Sequence, residues 1–423
     1  MVYLQLLRVA IPALCLGLAA STGNAIAPST NQRSFNVKTF KIDLSNEFRR
    51  LKRAISDTRL PEVELYPGNG QAKGVPLDSL RAWKEEWEGG YDWEKEQAKL
   101  NVFDHFTADI EGLTIHFVHQ KSTAKDAIPI ILLHGWPGSF QEFYPIIPLL
   151  THKNASTGIA FDVVIPSLPG FVFSSAPKTQ NWTVSDTARV FNTLMTEVLG
   201  YESYAIHGTD WGSGIGYMLY STFNVAGNIL GGNFDFLPFV PPSREEITAN
   251  NITLVPAQEI TLARQEEWQT HQFDYLTMLV NRPNDLGYAL YDNPVGQLAF
   301  IGGKYLWSQP PPSPLYTAGN STILTAVSLY ALTDSVVSAG WIYAANPNAL
   351  MPDYTCPGPE GVQSAAPVLF SSFAYNLALW PEEYVRRVGR VVAYRVHESG
   401  GHFAGLDNPT GLAEDICLLA RFF

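Results

Sequence analysis

Cysteine is scarce: Cys15, Cys356 and Cys417 are the three in 423 residues. That excludes a disulfide-stapled scaffold, in which a short chain is dense in thiols. Charge is thin as well. Asp, Glu, Lys and Arg make up 16% of the residues, and the 28 Lys+Arg against 40 Asp+Glu leave a net charge of −12. A nucleic-acid binder carries a basic stripe. Arg49-Arg50-Leu51-Lys52-Arg53 is the densest basic run and reads as a solvated helix face, so no nucleic-acid partner is expected. Long apolar runs are missing after the N-terminus, where nothing reaches the about 20 residues of a spanning helix. No Gly-x-Gly-x-x-Gly occurs, and no Cys/His group has zinc spacing. His116 and His119, three apart on a strand, face opposite sides. No cofactor and no metal are expected.

What is abundant is apolar and aromatic. Hydrophobic residues reach 46%, with 10 Trp, 19 Tyr and 23 Phe. This rules out wholesale disorder and suits a large core or an aromatic-lined cavity. At the N-terminus Arg8 precedes the 12-residue apolar run 9–20, and small residues follow up to Ala25. Residues 1–25 read as a signal peptide, giving a secreted or endoplasmic-reticulum protein, or as a membrane anchor if the segment is kept. Sequons at Asn154, Asn181, Asn251 and Asn320 permit export without demonstrating it. Cys356 and Cys417 either pair or stay as free thiols.

The pattern along the chain changes at about residue 111. Residues 26–110 read as a helical N-terminal region, with helices at 46–58, capped by Ser45, and 77–87. Strand and helix then alternate. Strands are expected at 113–119, 128–133, 161–166, 203–207 and 229–236, and helices at 139–150, 186–199 (with Ser185 at its start) and 212–222. Alternation stops over 240–345, where helices, aromatics and the Pro-rich stretch 309–314 suggest an inserted helical lid. Strands resume at 368–371 and 391–396, and a helix closes the chain at 410–422. The expected fold class is α/β: a mostly parallel sheet with helices on both faces, its core in 111–239 and 346–423.

Three segments carry chemistry. His207-Gly208-Thr209-Asp210-Trp211-Gly212-Ser213 follows a strand and opens a helix, as a nucleophile elbow does. The nucleophile position holds Asp210, and a carboxylate attacks an sp³ carbon to form an ester, which suits epoxides or alkyl halides. Taken alone, the segment also reads as a strand-end Asp capping a helix. His134-Gly135-Trp136-Pro137-Gly138-Ser139-Phe140 follows the most apolar strand. In this architecture that loop supplies a backbone N–H to an oxyanion hole, so Trp136 and Trp211 are the expected donors. Glu398-Ser399-Gly400-Gly401-His402-Phe403 follows a late strand, and its flanking glycines let His402 reach the elbow as a general base.

With these motifs, and with Leu60-Pro61, Gly74-Val75-Pro76-Leu77, Gly90-Tyr91-Asp92-Trp93 and Leu100-Asn101, the chain from about Phe35 onwards resembles the microsomal-type epoxide hydrolases. The resemblance implies the α/β-hydrolase fold, an epoxide and water as the small-molecule partners, and lid tyrosines that protonate the opening ring, here Tyr275 and Tyr343. It also exposes a departure. The family's acid after the strand following the lid is Asn376 here, within Phe373-Ala374-Tyr375-Asn376. Some related haloalkane dehalogenases place that acid at an earlier strand end, where this chain has Asp235. The expectation is therefore that Asp235 orients His402, with Asn376 as the alternative. Haloalkane dehalogenation, biosynthetic epoxide rearrangement or cyclisation, and a catalytically silent binding protein are the rival readings. Homodimerisation stays open.

Overall fold

A computed structural model describes residues 34–68, 73–224, 227–308, 321–348, 350 and 364–423. The N-terminal export segment, Cys15, Cys356, Asn320 and the stretch 309–314 lie outside the described residues.

Among the described residues nine strands build one sheet: β1 (Lys38–Phe40), β2 (His105–Ile110), β3 (Leu113–Gln120), β4 (Ile128–Leu133), β5 (Phe161–Pro166), β6 (Tyr204–Gly208), β7 (Ile229–Phe234), β8 (Pro367–Tyr375) and β9 (Arg390–Gly401). They lie in the order β1-β2-β3-β5-β4-β6-β7-β8-β9. The pairs from β1 to β5 are antiparallel and those from β5 to β9 parallel. β2 and β3 are joined through Glu111 and Gly112, both at positive φ (51° and 79°), as a tight hairpin matched to strand twist requires. β4 has an unbroken apolar end because parallel strands are covered on both faces; Ile130, Ile131, Leu132 and Leu133 are all buried.

The chain leaves β4 towards β5 and returns to place β6 on the other flank of β4. The carboxyl ends of β4 and β6 therefore flank a topological switch point, where a crevice opens above the sheet. The loop after β4 and the turn after β6 meet there. Gly212 makes the approach feasible, since a Cβ on it would lie 2.0 Å from the Leu133 carbonyl oxygen.

The N-terminal region differs from its expected all-helical form, because it contributes β1 and β2. A three-residue strand is too short to show alternation, and β2, with the sequence HFTADI, does not alternate cleanly. Its helices are Ser45–Asp57, Leu77–Glu85 and Trp93–Leu100. The first buries Phe48, Leu51 and Ile55 on one face. Ser45 does not cap it: Leu44 is the N-cap, and the Ser45 hydroxyl accepts from Gln97 Nε2 at 3.2 Å. The helix expected at 139–150 is broken into a 3-10 turn, Phe140–Phe143, and a short helix, Ile147–Thr151. Pro145 and Pro148 fall between and within them and lack the N–H that a continuous helix needs. The helix Val184–Thr193 begins with Thr183, not Ser185, as its cap, in a reciprocal pairing with Asp186.

Between β7 and β8 the inserted helices include Pro256–Glu267, Asp274–Asn281, Pro283–Tyr291, Thr322–Leu332 and Val336–Ala345. The N-terminal region clasps one of them: Trp87 Nε1 donates to Ser328 Oγ at 3.0 Å, and the Tyr91 hydroxyl meets Thr325 Oγ1 at 2.9 Å. Among the described residues no single helix is long and apolar enough to cross a membrane.

Candidate active site

Asp210 sits at the first turn of the helix Asp210–Thr222 with φ of 47°. That left-handed conformation is uncommon for a non-glycine residue and is held by the packing around it. It aims the carboxylate into the crevice at the positive end of the helix. The Trp136 N–H donates to Asp210 Oδ1 at 2.7 Å. Gly135 must be glycine for this contact, because a Cβ there would fall 2.0 Å from Asp210 Oδ1. The loop itself is pinned by buried His134, whose Nε2 accepts from the Leu168 N–H at 3.2 Å while Nδ1 faces the Gly135 carbonyl at 3.0 Å. Burial pushes His134 down to about 4, so it stays neutral. Of the two expected oxyanion donors, Trp136 is engaged. Trp211, directly after Asp210 at the start of the same helix, lines the cavity.

His402 arrives from the end of β9 after Gly400, which has φ of 97°. Its Nε2 lies 3.3 Å from Asp210 Oδ2. Its Nδ1 lies 3.0 Å from Asn376 Oδ1. The expectation for Asp235 is corrected here. Asp235 is 1% exposed, and neither of its carboxyl oxygens hydrogen-bonds His402. The contact it does make is through its backbone carbonyl, which accepts from Asn376 Nδ2 at 2.8 Å. The physical reason is the geometry of the amide. With Nδ2 committed to that carbonyl, Asn376 must turn Oδ1 towards His402, and Oδ1 also accepts from the Leu377 N–H at 2.7 Å. An acceptor facing Nδ1 requires the proton on Nδ1 and leaves the Nε2 lone pair directed at Asp210. Burial pushes the Asp235 carboxyl up to about 8, and the nearby Thr209 hydroxyl offsets only part of that.

Tyr275 lies on the helix Asp274–Asn281 and Tyr343 on Val336–Ala345. Both reach the same carboxylate region. Tyr275 stacks on Trp136 at 5.4 Å and 17° between planes; Tyr343 meets Trp136, Trp211 and Tyr275 edge-on at 5.6, 4.9 and 6.0 Å. Burial, then the negative charge of Asp210, pushes Tyr275 upward; burial, then Tyr275 and Asp210, pushes Tyr343 upward too. Both are therefore neutral proton donors at ordinary pH. A cavity of about 280 Å³ opens beside Asp210, Trp211, Tyr275 and Tyr343, walled by Met218, Phe236, Trp268, Leu276 and Leu377. An apolar wall with a few convergent polar groups suits a small, largely apolar molecule.

The residues named from sequence thus converge, apart from the Asp235 side chain. Two groups beside them, one buried and one half-buried, were not anticipated. Glu142, pushed well up by burial, lies against Gly138 of the Trp136 loop. Lys304 lies over the ring of Tyr275. Glu142 is a local neighbour with no motif of its own, and Lys304 carries no sequence signal because its contact joins separate segments.

A mostly parallel sheet with an elbow at its switch point and a histidine delivered from the last strand is the architecture of the α/β-hydrolases, and the profile of that fold matches residues 128–231. The profile described as the epoxide hydrolase N terminus matches residues 37–143 ahead of it. Juvenile hormone epoxide hydrolase 1 of Ctenocephalides felis is 30% identical over 414 residues, covering 92% of this chain and 86% of the relative. Epoxide hydrolase 1 of Oryctolagus cuniculus is 29% identical over 429 residues, covering 90% and 88%. The solved Aspergillus niger epoxide hydrolase superposes with a TM-score of 0.78 at 33% identity, covering 93% of this chain and 98% of that one. The chain belongs to the microsomal-type epoxide hydrolase family, and it is an epoxide hydrolase.

Proposed function

We propose that this chain opens an epoxide through a covalent ester on Asp210. The Asp210 carboxylate forms a bond to an epoxide carbon as that carbon's bond to the ring oxygen breaks. Tyr275 and Tyr343 hydrogen-bond the ring oxygen, and one gives up its proton to the alkoxide. A water then attacks the ester carbonyl while His402 Nε2 takes its proton, and the Trp136 N–H stabilises the oxyanion. Collapse releases the diol, which takes the proton from His402. The proton left on the Asp210 carboxyl returns to the phenolate.

The observation that supports this reading is the placement of one carboxylate between the two tyrosines and His402 Nε2, the last at 3.3 Å. Asn376 supports the imidazole's tautomer but, being neutral, cannot balance the imidazolium as a carboxylate would. The second step is therefore the slow one. The test is a single turnover in heavy-oxygen water with mass analysis of the peptide bearing Asp210. One labelled oxygen in Asp210 is expected. An unlabelled Asp210 alongside diol formation would exclude the covalent route.

A further inference from the structure

The tyrosines have unequal surroundings. Lys304 belongs to the helix Gly303–Trp307, just after the turn Leu298–Gly302 that carries Phe300. Its Nζ lies 4.0 Å from the centre of the Tyr275 ring and 5.5 Å from that of Phe300. Among the described residues no carboxylate stands within ion-pair distance of it, so the aromatic faces are its principal partners. The same side chain lines a small cleft with Trp136, Trp268, Gln272, Tyr275 and His402. No cation among the described residues stands over Tyr343, whose ring meets its neighbours edge-on.

We propose that Lys304 is a positioning residue that, through the face of the ring, makes Tyr275 the principal proton donor to the opening epoxide. This rests on the reading of Tyr275 as an acid. A cation over an aromatic face is held by the ring quadrupole. When Tyr275 loses its proton the ring becomes a phenolate, and negative charge spreads onto its carbons. A cation at this distance favours the charged form, in a half-buried site where screening is weak. Burial and Asp210 both oppose ionisation of Tyr275; Lys304 counters them at the one tyrosine it touches. The lysine must itself be charged to act, and burial pushes it down to about 8, against the raising influence of Asp274. The titratable groups facing it are Tyr275 and Asp274 on the facing helix and His402 across the cleft.

The test measures single-turnover alkylation of the enzyme by styrene oxide, before ester hydrolysis, between pH 6 and 9.5. The wild-type rate should fall as pH rises through about 8, because the ammonium is lost. Lys304→Met should be slower by about 10-fold at pH 6.5 and lack that fall, with the rate of ester hydrolysis unchanged. Lys304→Arg should restore the rate and stay flat across the window, since a guanidinium keeps its charge. A fall near pH 8 that persists in Lys304→Met assigns it to another group, of which Asp235 titrates in the same range, and overturns the proposal. If Lys304→Met fails to fold, Lys304→Arg decides alone: a profile identical to wild type overturns it. Alkylation that proceeds equally in all three removes the role of Lys304 while leaving the ester mechanism standing. A wild type that forms no ester removes both.

Discussion

The two walls of the site are built by different means. On the sheet side, Asp210, Trp136 and His402 are fixed by backbone: an elbow at positive φ, a loop N–H at 2.7 Å and a glycine-flanked strand end. On the side of the inserted helices, Tyr275 and Tyr343 are fixed by ring contacts with Trp136, Trp211 and each other. Hydrogen-bonded backbone tolerates little displacement, whereas aromatic edges slide over fractions of an ångström at small cost. On the proposed mechanism the sheet wall carries the reaction, and the helical wall is the side with room to adjust to the molecule being opened.

The largest effect tests the sheet wall directly. Asp210→Asn should lower turnover of styrene oxide by at least about 10,000-fold, with no ester detectable by mass spectrometry. His402→Gln should separate the two steps: ester accumulates in a burst of about one equivalent, and steady turnover falls on the order of 1,000-fold. Asn376→Ala is finer. Loss of the tautomer-fixing acceptor should slow ester hydrolysis about 10- to 100-fold and leave alkylation alone; slowing of alkylation instead would mean the amide shapes the helical wall. The smallest effect on chemistry is expected from Asp235→Asn, since that carboxyl hydrogen-bonds neither His402 nor Asp210. Its effect is on stability. The folded-state acid is raised to about 8, while the unfolded one ionises near about 4. Between those values the unfolded chain has released a proton that the folded chain holds, so stability falls as pH rises through the window. Asp235→Asn should raise the melting temperature at pH 8 and not at pH 4. A loss of turnover in this variant would instead return Asp235 to the catalytic machinery.

The sheet wall was also the more legible in the sequence. The apolar run of β4 and the spacing Gly208-x-Asp210-x-Gly212 report backbone constraints, and backbone constraints select residue types locally. The strands of the N-terminal region were not legible, because three residues of β1 carry no period. The partner of His402 was not settled either. Asp235 and Asn376 follow neighbouring strands, and a 2.8 Å bond from the Asn376 amide to a backbone carbonyl decides between them. A carbonyl has no signature in a sequence. Lys304 was invisible for a related reason: it meets Tyr275 across 29 positions and two helices.

The clasp of Trp87 on Ser328 and of Tyr91 on Thr325 bears on how far the protein can be trimmed. The first helical region looks dispensable, since Asp210, His402 and Asn376 all lie outside it. Yet the clasped helix also sends the Tyr330 hydroxyl to the Gly138 carbonyl at 2.8 Å, on the very loop that holds Asp210. A shortened enzyme beginning at residue 111 would keep its nucleophile and lose the outer buttress of both walls. Removing a region that lines neither cavity of the site would then act as an active-site mutation.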